Sequence, residues 1–338
     1  MDKVAIVILN FNGKSLLEKF IPSVIRNSIG YRIFVADNGS TDDSVTFLQN
    51  NFHQVTVIRL EKNEGFCKGY NLALQQVDAE YYVLLNSDVE VTPAWVEPLV
   101  RLMEANPRAG AVQPKIKSFY QQSHFEHAGA AGGWLDKWGY PFCRGRLFEV
   151  LEPDSGQYND TEEIFWATGA CMLVRAALYH ELEGLDNDFF AHMEEIDLCW
   201  RLQHAGYQVY YCGESEVFHV GGGTLPKSNP RKTFFNFRNG LILLYKNLPE
   251  QGFYQTFFIR LVLDGIAGIK FFLEGNRADF WAVIKAHAAF YRTLSTWKAK
   301  RKANLARIKS TEIKGVYEKS VVYEHFVKGK NTFKELFG

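Results

Sequence analysis

Residues 81–91, YYVLLNSDVEV, drive an apolar run straight into the polar trio Asn86, Ser87 and Asp88. A buried strand that ends on a carboxylate sets that oxygen at the carboxyl edge of a sheet, where open α/β sheets bind ligands. Two readings follow: a metal-diphosphate site, or a polar turn that closes the strand. Upstream, VAIVIL (4–9), YRIFVAD (31–37) and VTVIRL (55–60) read as buried strands, and 15–27, 44–52 and 69–77 read as helices. This alternation predicts a parallel sheet with right-handed crossovers, the nucleotide-binding half of a Rossmann-like α/β fold. No GxGxxG follows the first strand, so the expected ligand is a mononucleotide held in another way than a dinucleotide.

The chain has 338 residues and is 47% apolar, enough to bury a large core in one large or two coupled domains. Its net charge of zero hides a split. Residues 1–225 carry 17 Lys and Arg against 30 Asp and Glu, a net of −13; residues 226–338 carry 21 against 8, a net of +13. A basic tail suits nucleic acid or an anionic membrane surface. The five cysteines are odd in number and form no CxxC pair, which points away from a disulfide framework or a zinc knuckle and toward a reducing cytosol. MDKVAIVIL runs directly into a strand without a basic leader, so secretion is not expected. No run of 18 uncharged apolar residues occurs, which argues against a conventional transmembrane helix.

Beyond the decisive strand, a Pro-started helix is expected over 93–105, then the strand AVQPKI, then a long Gly- and aromatic-rich stretch over 118–163. Loops of that length are usually lids or binding loops. The bulk of Trp134, Trp138, Tyr140, Phe142 and Phe148 favours a lid over a disordered insertion. His124 and His127 read as ordinary loop histidines.

Seven ordered segments, VAIVILNFNG, VADNGSTDDSV (35–45), NEGFCKGYNLAL (63–74), LLNSDV (84–89), TGACMLVR (168–175), FFAHMEEIDLCWRLQHAGY (189–207) and VFHVGG (217–222), together resemble the motifs of the family 2 glycosyltransferases. The nearest likeness is to rhamnosyltransferase-like bacterial members. The resemblance implies a GT-A fold: a Rossmann-like nucleotide-binding half (1–91) and a mixed-sheet acceptor half (92–225, with the lid over 118–163), followed by a basic, amphipathic helical C-terminal region (226–338). It also implies a UDP- or dTDP-sugar donor, a divalent metal and transfer with inversion.

By the same resemblance Asp37 accepts the imide hydrogen of uracil or thymine, although an Asp before AsnGlySer is also a common turn former. Leu9, Asn10 and Phe11 match the base-contacting segment, with Phe11 either facing the pyrimidine or buried in the core. The family's Asp-x-Asp motif is altered here to Asn86-Ser87-Asp88, leaving one carboxylate. A hard ion accepts this by keeping waters and taking oxygens from the diphosphate. His219 matches a histidine that completes the metal site, and imidazole tilts the choice toward Mn²⁺ over Mg²⁺. Inversion needs a base for the acceptor hydroxyl. Glu195 stands where the family commonly has Asp and is the assigned base; acids at a helix N-terminus also arise for dipole reasons alone. Asp197 and Arg201 are spaced for an i,i+4 pair.

Arg231, Lys232, Arg238 and Asn239 lie in a segment resembling one close to a donor diphosphate or an acceptor phosphate. Residues 253–273 then read as a broad amphipathic helix, and 278–297 repeat the theme. Either these helices lie in a membrane interface, or they pack against the catalytic domain or a dimer mate. The tail KAKRKANLARIK (298–309) suits anionic headgroups, and no nucleic-acid-reading element is evident. The expectation is a cytoplasmic enzyme, peripheral at the inner face of the cell membrane. It would transfer a sugar, dTDP-rhamnose being the leading donor, to a lipid-linked glycan in bacterial surface polysaccharide synthesis. A polyprenyl-phosphate glycosyltransferase and a non-catalytic sugar-nucleotide-binding partner stay open.

Overall fold

The computed structural model describes residues 1–221 and 229–338. Gly222 of the VFHVGG motif and the expected boundary at 225/226 lie outside the described residues. The first half is β1 (Asp2–Asn10), α1 (Lys14–Asn27), β2 (Arg32–Asp37), α2 (Ser44–Asn51), β3 (Val55–Arg59), α3 (Phe66–Leu74) and β4 (Ala79–Asn86). Next come β5 (Val89–Val91), α4 (Val96–Ala105), β6 (Ala109–Ser118), β7 (Gly133–Asp136), β8 (Pro141–Cys143), β9 (Arg146–Leu147), β10 (Val150–Leu151) and β11 (Thr161–Glu163). β12 (Cys171–Arg175), α5 (Ala176–Glu181), a 3-10 turn (Asn187–Phe189), α6 (Glu194–His204) and β13 (Gln208–His219) complete this part. The remainder is α7 (Pro230–Asn247), α8 (Phe253–Leu273), α9 (Arg277–Arg292), α10 (Leu294–Ala306), β14 (Val316–Tyr317), α11 (Val321–Phe326) and α12 (Phe333–Phe337).

A nine-stranded sheet runs β11-β13-β6-β12-β4-β1-β2-β3, with β5 paired to β13. β4, β1, β2 and β3 are parallel, while β12 runs antiparallel to both β4 and β6 and turns the sheet mixed. Tyr81 to Leu85 are all buried, because helices cover both faces of the central strands. That is why the run shows no alternation.

The expected strand over 81–91 is in fact two. β4 stops at Asn86, whose N–H donates to the Ala170 carbonyl at 2.9 Å, and after Ser87 and Asp88 the chain leaves to pair β5 with β13. The helix expected over 69–77 starts earlier, at Phe66, after Gly65 at φ +79°. The helix expected from Pro93 starts at Val96, because Ala94 takes φ +56°.

The stretch 118–163, expected as a lid loop, contains strands of its own. It holds β7 to β11, and β10-β9-β8-β7 form a second sheet closed by β14 from the far end of the chain. Of its aromatics Phe142 is buried, with ring contacts to Trp134, Tyr317 and Phe333, and Trp134, Tyr140 and Phe148 pack half-buried against that cluster. The segment's strands are only two to four residues long, too short for a periodic signal.

The C-terminal region is helical, as expected, over α7 to α12, with β14 inserted among the helices. α9 and α10, expected as one helix, break at Thr293, and Ala282, Val283, Ala286, Phe290 and Trp297 are buried. Residues 312–338 then return to the second sheet. α8 is inverted relative to a surface helix: Arg260 and Asp264, expected on its solvent side, are 3% and 0% exposed. Arg260 Nε bonds Asp264 Oδ1 at 2.8 Å, Nη1 donates to the Gly139 carbonyl, and the Tyr140 hydroxyl donates to Asp264. The solvent side carries Tyr254, Phe258, Val262, Ile266, Ile269 and Leu273.

If the second sheet is a packed core, truncating a buried aromatic there costs about 3–5 kcal/mol. Phe142→Ala is therefore expected to lower the urea unfolding midpoint of the full chain strongly. A movable lid would leave that midpoint unchanged.

Candidate active site

The first wall of the site is the carboxyl edge of β1 and β2. Asp37 ends β2 and is buried; its Oδ1 accepts Asn10 Nδ2 at 3.2 Å and its Oδ2 accepts the Ser40 N–H at 3.1 Å. Carboxylate oxygens have lone pairs to spare for an imide donor. Phe11, just past β1, is 46% exposed, which removes the core alternative for this ring. Leu9 is half-buried against α3. The sequence reading missed Asn38, whose side chain bonds Asn63 Oδ1, the Gly65 carbonyl and the Glu64 N–H, stitching the β2 edge to the turn before α3. Gly39 sits at φ +73°, with the backbone of Lys62 2.5 Å from where a Cβ would stand, so a side chain there would separate the two loops.

The second wall is the end of β4. Asp88 is buried, and its Oδ1 lies 3.2 Å from His219 Nε2. β13 brings the histidine there, since the β5–β13 register sets His219 opposite Val89. The other ring nitrogen, Nδ1, faces Glu126 Oε2 at 2.9 Å. Burial disfavours a charged imidazole here, yet the two carboxylates push it up to about 10. Glu126 was not foreseen. It lies between His124 and His127 in a stretch without periodicity, and a lone acid there carries no motif. Those histidines do have partners: His124 Nδ1 meets Ser123 Oγ, and His127 meets Arg146 and Glu149.

Among the described residues no group of three His, Cys, Asp or Glu side chains is arranged to hold a metal unaided. The donor set still fits a hard or borderline ion that brings other ligands. Asp88 and Nε2 of His219 converge, and Glu126 engages the opposite nitrogen, as a carboxylate behind a ligating histidine does.

The third wall is the start of α6. Met193, at φ +76°, precedes Glu194 with no side-chain cap. Glu194 and Glu195 each have a buried Oε2 without a partner. Burial drives both carboxyls up, Glu195 to about 7 and Glu194 well above its usual range, with Glu195 adding to the latter. The β-carbon of Glu195 approaches Gly169, as does Phe66, and the next residue, Ala170, accepts from Asn86. The start of α6 at Glu195 thus lies close to the β4 end. The expected Asp197–Arg201 pair is present at 2.9 Å, but it is buried and extends to Lys246 and Asn247 of α7.

The basic candidates divide. Arg231 is exposed beside the Phe190 and Phe235 rings, and Lys232 is partly buried. Asn239 is fully buried, and its amide donates to the carbonyls of Phe189, Ala191 and His192. Arg238 donates to Asn239 Oδ1 and to the carbonyls of Asp188 and Phe189. The Asn239 amide is thus committed to backbone oxygens, and Arg238 commits Nε and Nη2 to Asn239 and the same loop.

The family model described as Glycosyl transferase family 2 matches residues 5–182, just over half of the chain. The chain belongs to glycosyl transferase family 2. This family 2 glycosyltransferase is similar, at 26% identity over 239 residues, to the N-acetylglucosaminyl-diphospho-decaprenol L-rhamnosyltransferase of Mycobacterium tuberculosis, covering 64% of this chain and 76% of that protein. It is 24% identical over 224 residues to the rhamnosyltransferase WbbL of Escherichia coli, covering 64% and 83%. Its fold is GT-A. It superimposes on TarS 1–349 of S. aureus with a TM-score of 0.54 at 14% identity, over 97% of this chain and 92% of that one. On the mannosyltransferase PcManGT of Pyrobaculum calidifontis, solved with GDP-Man and Mn²⁺, the TM-score is 0.51 at 13% identity, over 97% and 88%.

The raised Glu194 carboxyl has a thermodynamic consequence. Its folded-state value lies above the ordinary 4.5, so proton binding favours the native state; that stabilisation is complete below about 4.5 and is lost as pH rises through the folded value. Glu194→Gln, neutral at every pH, is expected to raise the thermal midpoint over the native chain at pH 8, with the difference fading at pH 4.

Proposed function

We propose that this glycosyltransferase moves a sugar, rhamnose first among candidates, from a dTDP or UDP donor to a hydroxyl of a lipid-linked glycan, with inversion, in bacterial surface polysaccharide synthesis. What supports the reading most is that Asp37 and the Asp88–His219 pair stand at the carboxyl ends of adjacent strands, with the start of α6 that bears Glu195 close to Gly169 beside the β4 end. Similarity to two rhamnosyltransferases supports the donor class, and the decaprenol-linked name of one supports a lipid-linked acceptor.

In this mechanism Asp37, Asn10 and Leu9 receive the base, with Phe11 against its ring, and Asn86 and Ser87 line the ribose and phosphate path. Asp88 and His219 would hold a Mn²⁺ or Mg²⁺ ion, which when bound neutralises charge on the departing diphosphate. Glu195 accepts the acceptor hydroxyl's proton as that oxygen bonds to the anomeric carbon. The bond from that carbon to the diphosphate breaks, and its electron pair leaves with the nucleotide. A carboxyl near 7 suits a base at neutral pH, where proton affinity and the ionised fraction are balanced. Arg231 and Lys232 remain the candidates for acceptor phosphate.

Transfer should depend on added Mn²⁺ or Mg²⁺ and disappear in Asp88→Ala. Glu195→Gln should lower kcat by about 10²–10⁴ with donor affinity retained, since a general base supplies about that much. Full activity in Glu195→Gln would instead favour a phosphate acceptor, which needs no base, and so the polyprenyl-phosphate reading.

The inverted α8 supports a cytoplasmic enzyme held peripherally on an anionic bilayer. Among the described residues no helix is long and apolar enough to cross a membrane. Tyr254, Phe258, Val262, Ile266, Ile269 and Leu273 recur at three- or four-residue spacing along one exposed stripe, in a region whose net charge is +13. The full chain is expected to sediment with anionic vesicles and to be only partly released by salt, because screening removes the electrostatic part alone. Phe258→Glu, Val262→Glu and Ile269→Glu together should abolish sedimentation and preserve donor binding. A native dimer that ignores vesicles and falls to a monomer in the triple variant would assign the stripe to a homodimer.

A further inference from the structure

The loop that leads into Glu195 is strained. Of the four residues 190–193, Phe190, His192 and Met193 sit at φ +70°, +69° and +76°, and none is glycine. L-residues avoid this region because Cβ crowds the backbone, and such conformations persist only where the surroundings over-determine them. Here the surroundings are one side chain of α7. The two amide protons of Asn239 are shared among the carbonyls of Phe189 at 3.1 Å, Ala191 at 2.8 Å and His192 at 2.8 Å. Arg238 fixes the amide by donating from Nε to Asn239 Oδ1 at 2.8 Å, and its Nη2 donates to the Phe189 carbonyl at 2.7 Å. The same loop turns Phe190 outward, stacked on Phe235 at 5.3 Å and 15°. Two residues beyond Glu195, Lys246 and Asn247 of α7 take hold of Asp197.

We propose that Asn239 is a positioning residue for sugar transfer: it clamps residues 189–192 in the left-handed path that aims the Glu195 carboxylate at the acceptor hydroxyl. Without the clamp the loop relaxes, the first turn of α6 shifts and Glu195 loses its line to the reacting oxygen, while the nucleotide wall on β1 and β2 is untouched. The inference rests on Glu195 acting as the base.

The test uses the full chain and separates kcat from donor binding. A displacement of about 1 Å at a reacting group costs about 10² in rate, so Asn239→Ala is expected to lower kcat by that order with the affinity for nucleoside diphosphate and Mn²⁺ unchanged. Adding His192→Gly and Met193→Gly to Asn239→Ala should recover about tenfold, since glycine takes positive φ without the Cβ clash. Unchanged kcat in Asn239→Ala would overturn the proposal, as would joint collapse of kcat and donor affinity with no recovery from the glycines. If Asn239→Ala does not fold, Asn239→Ser keeps one donor and should show a smaller kcat loss at constant donor affinity; loss of donor affinity there would overturn it equally. Glu195→Gln run in parallel distinguishes the two claims. Full activity there removes the base and the clamp together, whereas an inactive Glu195→Gln beside a fully active Asn239→Ala removes the clamp alone.

Discussion

A carboxylate with no access to water, Asp197, fixes how the two parts of the chain meet. Burial alone would raise its carboxyl, but Lys246 and Arg201 hold it below the ordinary carboxylate range. A buried charge is tolerated only when paired and hydrogen-bonded, and breaking such a pair typically costs about 3–5 kcal/mol. Arg201 comes from the same helix and also caps the carbonyls of Leu182 and Gly184. Lys246 comes from α7, continues to Asp186, and through it meets Lys300 of α10. The acidic helix of the site is therefore bonded to the helices that follow the sheet. α7 to α10 form part of the catalytic fold's frame, and the split of net charge along the sequence does not mark a physical seam.

The site divides between rigid sheet and bonded loop. The β1–β2 wall is made by strand ends and by Asn10, Asn38 and Asp37, whose side chains bond neighbouring loops and so are pre-set before any ligand arrives. The Asp88–His219 pair depends on the short β5–β13 ladder. Glu195 has neither support. It stands on a helix that begins without a side-chain cap, after a turn that sequence preferences do not favour. Its geometry must come from packing on other elements, and its carboxyl is raised because those elements exclude water.

The parallel half was legible because strands covered on both faces read as unbroken apolar runs, and 4–9, 31–37 and 55–60 fall on β1, β2 and β3. The break after Asn86 was less so, because pairing of β5 with β13 depends on a partner 130 residues on in the Val89–His219 register. The second sheet was invisible for the same reason in stronger form: β14 closes it from 180 residues beyond β7, and neither strand is long enough to declare itself. Motif matching singled out Asp37, Asp88, His219 and Glu195 as candidates. Glu126 and Asn38 act through other side chains and carry no signature of their own. Asn239 was noticed as a polar residue in a basic segment, but donors aimed at a phosphate and donors aimed at backbone carbonyls look alike in a sequence.

The hardest feature to read was the direction of α8. Its apolar and charged faces are plain from spacing, and ordinary physics turns the charged face to water. That rule fails here because Arg260 and Asp264 satisfy each other, because Tyr140 and Gly139 supply further bonds from the second-sheet segment, and because His287 Nε2 of α9 lies 3.3 Å from Asp264 Oδ2. Asp136 adds to the arrangement; burial raises its carboxyl to about 6 despite three backbone donors. Once a charged pair is sealed inside, the helix cannot rotate to hide its phenylalanines without leaving two charges unpaired. The apolar stripe is thus held outward by the polar core beneath it. A surface kept hydrophobic at that structural cost, in a basic region, supports the proposed seat on an anionic lipid surface.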